Sequence, residues 1–150
     1  MTMPMQTRSD AGLATALRIS VSRLARRLRA ERMAKGIEPG LSDTQLAALA
    51  ALERHGAMTP GELAEHEKVQ PPSMTRVIAA LEERGLVMRA PHATDRRQVV
   101  LTATDQGREV VHQTRRLREA WLAQRLRELT PAERALLRQA APLLEKLSQS

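Results

Sequence analysis

Residues 70–84 read QPPSMTRVIAALEER, and the fold turns on how this stretch is wound. Met74, Val77, Ile78 and Leu81 recur at i, i+3, i+4 and i+7, which makes one apolar stripe of a short helix. Pro72, Arg76, Ala79 and Glu83 lie opposite, flanked by Ser73 and Ala80 on one edge and by Thr75 on the other. That face begins with small, hydrogen-bonding side chains and a single guanidinium. An ordinary amphipathic helix would simply keep such a face in water. A helix that enters a DNA major groove needs the same lack of bulk, with donors and acceptors near its N-terminus.

The flanking residues separate these readings. Upstream, Thr59 can cap a helix, Pro60 suits its first position, and Glu62 closes a capping box, with Met58 and Leu63 at staple spacing. The helix so started meets Lys68-Val69-Gln70-Pro71-Pro72, where consecutive prolines stop it and restart the chain as a second helix. Two short helices joined by a tight turn form a helix-turn-helix pattern. Downstream, Gly85 ends the second helix at its C′ position. Residues 86–90 and 98–103 then read as strands around the basic tip 91–97, a β-hairpin of the kind called a wing.

Leu63, Val69, Thr75-Arg76, Leu81, Gly85-Leu86-Val87, Arg89 and Asp95-Arg96-Arg97, at these spacings, resemble the multiple-antibiotic-resistance regulator (MarR) family of winged helix-turn-helix proteins. Thr-Arg on a helix is a weak signal alone; the whole series is a specific one. The resemblance implies a mainly α fold with a small β-hairpin wing. A reading domain over 41–104 would be flanked by dimerisation helices over 11–35 and 105–149. It also implies a double-stranded DNA partner and a second copy of the chain. Many family members bind small phenols or anions between the dimer helices and the reading domain, which lowers DNA affinity.

Composition agrees without deciding. One domain's worth of chain, 150 residues, carries a formal net charge of +7, which favours a polyanionic partner. The charge is unevenly placed: 59–104 holds six basic and six acidic residues, so the excess lies on either side of the reading domain. Local arrangement, rather than net charge, has to locate a DNA contact. With no cysteine there is no disulfide framework, cysteine-ligated zinc or thiol switch. Residues 1–10 lack the apolar core of a secretory signal and read as a disordered tail, so a cytoplasmic location is expected. No apolar run is long enough to span a bilayer.

Over 11–35, Leu13, Leu17, Val21, Leu24 and Leu28 form one seam, with Arg23, Arg26, Arg27, Arg29 and Arg32 on the other side. That basic run reads as a solvated face; phosphate contact or a dimer edge is the alternative. Leu41-Ser42-Asp43-Thr44-Gln45-Leu46 opens a support helix with another capping box, and Leu46, Leu49 and Leu52 bury it. After the wing, Thr102 or Thr104 caps a long helix bearing Val110, Leu117 and Trp121. Thr130-Pro131-Ala132-Glu133 opens the last, with Leu136, Leu137, Leu143, Leu144 and Leu147, and Pro142 is placed to kink it. One reading domain has too little surface to cover all these seams. Leu13, Leu17, Leu24, Trp121, Leu136, Leu143, Leu144 and Leu147 are therefore the expected dimer core.

The expected DNA contacts are Gln70, Pro72, Ser73, Thr75 and Arg76 on the helix, with Arg89, Asp95, Arg96 and Arg97 on the wing. Arg76 is either a guanine reader, donating twice to O6 and N7, or a phosphate clamp. By resemblance, Asp95 orients the tip through a salt bridge and one of Arg96 and Arg97 enters the minor groove, where negative potential is enhanced. Arg89 is a phosphate contact or Asp95's partner. Glu62 with His66, and Glu109 with His112, are too few for a metal site, and no catalytic motif appears, so neither cofactor nor enzyme is expected. Trp121 offers the one aromatic surface for an effector, and is otherwise core. Two functions stand: a ligand-responsive dimeric repressor of a pseudo-palindromic operator, or a winged-helix module for protein interaction or non-specific nucleoid binding.

Overall fold

The computed structural model describes residues 8–150. Most of the expected tail lies outside that range, and its last two residues are ordered parts of a helix start: Ser9 caps α1 (Asp10–Ala34) through its side chain. The chain continues as α2 (Asp43–His55), α3 (Pro60–Glu67), α4 (Pro71–Glu83), β1 (Val87–Pro91), β2 (Val99–Ala103), α5 (Asp105–Arg127) and α6 (Pro131–Ser148). All three capping boxes form, at Ser42/Gln45, Thr59/Glu62 and Thr130/Glu133. Each satisfies two backbone groups that a helix start otherwise leaves to water. Thr104, not Thr102, caps α5. Pro142 sits within α6 without ending it.

α2, α3, α4 and the antiparallel β1–β2 hairpin close on one core, in which Leu49, Leu63, Met74, Ile78, Leu81, Leu86 and Leu101 are the large, fully buried side chains. Burying each stabilises the fold by roughly 1.5–3 kcal/mol. Met58 adds a one-residue bridge to the sheet, exchanging hydrogen bonds with Leu101 at 3.2 and 2.7 Å. The beginning of α5 belongs to this core too, with Gly107, Val110, Val111 and Thr114 buried. Gly107 is required there for space. A Cβ would collide with the Leu86 carbonyl oxygen and lie 3.0 Å from Leu49 Cδ1.

The sequence placed Arg32 on a solvated basic face, and here the fold differs. Arg32 is 2% exposed and donates to the carbonyl oxygens of Ile37, Glu38 and Leu41 at 3.0, 3.2 and 2.6 Å. The loop after α1 turns back over it and supplies three acceptors to a buried charge that would otherwise be costly. α6 buries no residue at all, and Leu136, Leu143 and Leu147 are more than 60% exposed. Leu13, Val21, Leu24 and Leu144 are exposed as well, while Leu17 and Trp121 are half-covered. No helix among the described residues is long and apolar enough to cross a membrane.

Candidate nucleic-acid interface

α3 and α4 are joined by a turn that needs a left-handed residue, and Lys68 supplies it at φ 54°, ψ 42°. Its N–H donates back to the carbonyls of Ala64 and Glu65, closing α3. Gln70 begins α4 without a side-chain cap, which leaves its exposed carboxamide uncommitted to the helix. Pro71 and Pro72 occupy the first two helical positions and have no N–H, so Ser73 carries the first amide donor inside the helix.

The rotation of α4 is set by burial of Met74, Ile78 and Leu81. With that stripe inward, Pro72, Ser73, Thr75, Arg76, Ala79 and Glu83 are all exposed, the face expected from the spacing. Thr75 is less free than expected: its hydroxyl donates to the Pro71 carbonyl at 3.0 Å, so towards solvent it offers lone pairs and a methyl group. Arg76 makes no ion pair among the described residues.

On the wing the register runs from Val87↔Ala103 to Pro91↔Val99. The tip is organised by His92, a residue the sequence did not single out. Its Nδ1 accepts from the backbone N–H groups of Thr94 and Asp95 at 3.2 and 3.1 Å, which requires that nitrogen to be unprotonated. Asp95 orients the tip by a different route from the expected salt bridge. Its Oδ1 accepts the Arg97 N–H at 3.0 Å, and among the described residues it has no cationic partner. Arg96 and Arg97 project into solvent, likewise without an ion pair among the described residues.

Arg89 is not Asp95's partner. Its Nε lies 2.9 Å from both Glu82 oxygens and its Nη2 lies 2.8 Å from Oε1, so β1 is tied to the last turn of α4. The hydrogen bonds to Glu82 hold the guanidinium above its ordinary pKa. Arg84, just past the end of that helix, donates to Glu38 Oε2 at 3.2 Å and to the Pro39 carbonyl at 3.1 Å. Neither Glu82 nor Arg84 was readable as a site residue, because their partners lie on other elements. Among the described residues, no three metal-ligating side chains come together.

A helix-turn-helix whose second helix exposes small polar side chains and an arginine unpaired among the described residues, followed by an arginine-tipped hairpin, defines a winged-helix DNA-binding protein. The comparisons narrow the class. The profile of the MarR family matches residues 41–99. An HTH-type transcriptional regulator of Mycobacterium tuberculosis is 49% identical over 136 residues, 91% of this chain and 92% of the relative. The repressor MdtR of Bacillus subtilis is 31% identical over 134 residues, 89% and 84% of the two chains. Among solved structures, RV1404 from Mycobacterium tuberculosis superposes with a TM-score of 0.81 at 27% identity, covering 97% of each chain. Wild-type MarR from E. coli shares the fold, with a TM-score of 0.72 over 98% of each chain at 24% identity. The chain belongs to the MarR family of DNA-binding transcriptional regulators, a family of regulators rather than enzymes.

The geometry of the tip makes a prediction. His92→Ala removes the acceptor for two backbone amides and loosens the loop carrying Arg96 and Arg97. Amide hydrogen exchange at Thr94 and Asp95 should rise, with the core unaffected; His92→Asn, which keeps an acceptor, should restore part of the protection. Unchanged exchange in His92→Ala would remove the ring from this role.

Proposed function

We propose that the protein is a homodimeric repressor that reads a pseudo-palindromic operator, with α4 of each copy in a major groove and the wing in the adjacent minor groove. The observation that carries this reading is the distribution of unpaired charge. Arg76, Arg96 and Arg97 stand exposed on the two elements that would meet DNA, while Arg84 and Arg89 are paired with carboxylates. Gln70, Pro72, Ser73 and Thr75 surround Arg76 with small polar groups able to approach base edges. Arg89 remains partly exposed and can add a phosphate contact from the strand. Repression is the direction borne by MdtR, whose sequence this chain resembles.

Dimerisation is supported by the uncovered leucines of α1 and α6, apolar surface that a monomer would leave in water. Two-fold symmetry would then place half-sites about one helical turn apart. DNA as partner puts the site of action in the cytoplasm.

A cavity of about 290 Å³ between α1, α2 and α5 supports an effector site. Leu28, Leu46, Ala50, Val111 and Leu122 give it apolar walls. Arg54, Thr114, Arg115, Arg118 and one carboxylate, Glu119, give it polar ones, with Arg115 paired to Glu53 at 3.1 Å. The Thr114 hydroxyl and Arg118 Nε are buried without a hydrogen-bond partner among the described residues. Burial, and then the positive charge of Arg32, lower the pKa of Arg118. An anion in the cavity would offset both effects, so a small carboxylate or phenolate is the class of ligand this site favours. Trp121 does not line the cavity. It lies between the guanidinium groups of Arg27 and Arg125, 5.3 and 5.8 Å from its ring centre.

Four measurements test these readings. In sedimentation equilibrium at micromolar concentration the chain should be a dimer. That dimer should give discrete gel-shift bands on the DNA upstream of its own gene that survive competitor. Replacing Arg96 and Arg97 with alanine should weaken binding and lower the slope of log K against log salt by about 0.9 for each phosphate no longer neutralised. A smear that competitor abolishes would instead indicate non-specific binding, and an unchanged salt slope would remove the wing from the interface. For the effector, benzoate-type anions should raise Tm in the native chain and fail to do so in Arg118→Met; equal shifts in both would place the anion elsewhere.

A further inference from the structure

The loop between α1 and α2 is wound through three left-handed residues, Gly36, Glu38 and Gly40, at φ 68°, 45° and 84°. For the two glycines this is ordinary. For Glu38 it is not: a residue with a Cβ resists that conformation. Glu38 is held there from two sides. Its carbonyl accepts from Arg32 of α1 at 3.2 Å, and its carboxylate accepts from Arg84 at the C-terminus of α4 at 3.2 Å. Arg84 also donates to the Pro39 carbonyl at 3.1 Å, and its guanidinium lies so close to Gly40 that a Cβ there would be 2.8 Å from Nη2. Nothing in the helical periodicity requires this. Glu38 and Arg84 are 46 residues apart and partly covered, with side chains 23% and 31% exposed.

The strut joins the end of α4 to the loop that follows α1, and Arg32 ties that loop back to α1; the two helices it links in this indirect way have different tasks. α1 carries the exposed Leu13, Val21 and Leu24, the surface offered to a second copy; α4 carries Arg76. Arg76 lies eight residues before Arg84, about 12 Å along the helix axis at 1.5 Å per residue. A tilt of about 10° at the Arg84 end would displace Arg76 by roughly 2 Å, enough to break a hydrogen bond to a base edge. Glu82, on the same last turn, is tied oppositely to the wing through Arg89. The two pairs therefore hold the end of α4 between the α1–α2 loop, anchored on α1 by Arg32, and the hairpin.

We propose that Glu38 and Arg84 are positioning residues for DNA reading: they fix α4 against the dimerisation helix and so set the half-site spacing that the dimer accepts. The inference rests on the dimeric, operator-reading function proposed above.

The test uses the full chain and a duplex selected by the native protein from a random library. That duplex is then rebuilt with its half-sites moved apart or together in one-base-pair steps. Glu38→Gly is the informative variant. It removes the carboxylate yet suits the left-handed backbone, so stability should hold or rise while positioning is lost. The native dimer should prefer one spacing over its neighbours by roughly tenfold, the scale of one mismatched base pair. Glu38→Gly and Arg84→Met should flatten that preference to within about twofold, and Arg84→Lys should restore part of it. A uniform loss of affinity at all spacings, or a profile identical to the native one in Glu38→Gly, overturns the proposal. If the native chain selects no duplex, the operator-reading function itself fails, and that result is distinct from the variants' profiles.

Discussion

The proposed DNA-facing surface depends throughout on the inward packing of Met74, Ile78 and Leu81, which are 1%, 2% and 0% exposed. Side chains on a helix are separated by about 100° per residue, so fixing three of them fixes all. Pro72, Arg76, Ala79 and Glu83 face outward because the stripe faces inward. The partners of that stripe come from α2, α3 and the hairpin. One core therefore sets both the angle of the reading helix and the position of the wing beside it.

Charge is distributed in the same economical way. Residues 59–104 have as many acids as bases, which at first sight argues against a polyanionic partner. The structure removes the difficulty by engaging many of those acids locally. Glu62 closes a helix start, Glu67 meets His66, Glu82 binds Arg89, and Asp95 accepts a backbone amide in the tip. Arg84 is matched by Glu38 from outside the segment. The guanidinium groups of Arg76, Arg96 and Arg97 stay uncompensated by any ion pair among the described residues, and they share one surface class: outward on α4 or at the wing tip. Net charge could not have shown this, because it does not distinguish a paired arginine from an unpaired one.

What the sequence disclosed was local. Capping boxes at Ser42, Thr59 and Thr130, the Pro71-Pro72 restart and the Gly85 stop act within a few residues and formed as read. The strands read at 86–90 and 98–103 instead formed at Val87–Pro91 and Val99–Ala103, so Pro91 belongs to the strand and not to the tip. What stayed hidden was long-range or without period. Arg32 reads as solvated because it continues the basic face of Arg23, Arg26, Arg27 and Arg29; the carbonyls that bury it arrive only when the loop folds back. Gly107 reads as a poor helix residue until the Leu86 backbone is placed against it. Glu38–Arg84, Glu82–Arg89 and His92 with its two amides belong to interactions that spacing along one helix or strand does not encode. Asp95-Arg96-Arg97 was legible as a motif, but its main-chain mechanism was not.

The central claim is that the outward face of α4 lies in a major groove of each half-site. Because the chain has no cysteine, a single one can be introduced as Ala79→Cys on that face and derivatised with an iron chelate that cleaves nearby DNA. The account predicts two clusters of strand scission, one in each half-site, about one helical turn apart and centred on the major groove. Cleavage confined to the minor groove, a single cluster, or none on a duplex that the derivatised protein demonstrably binds would contradict it.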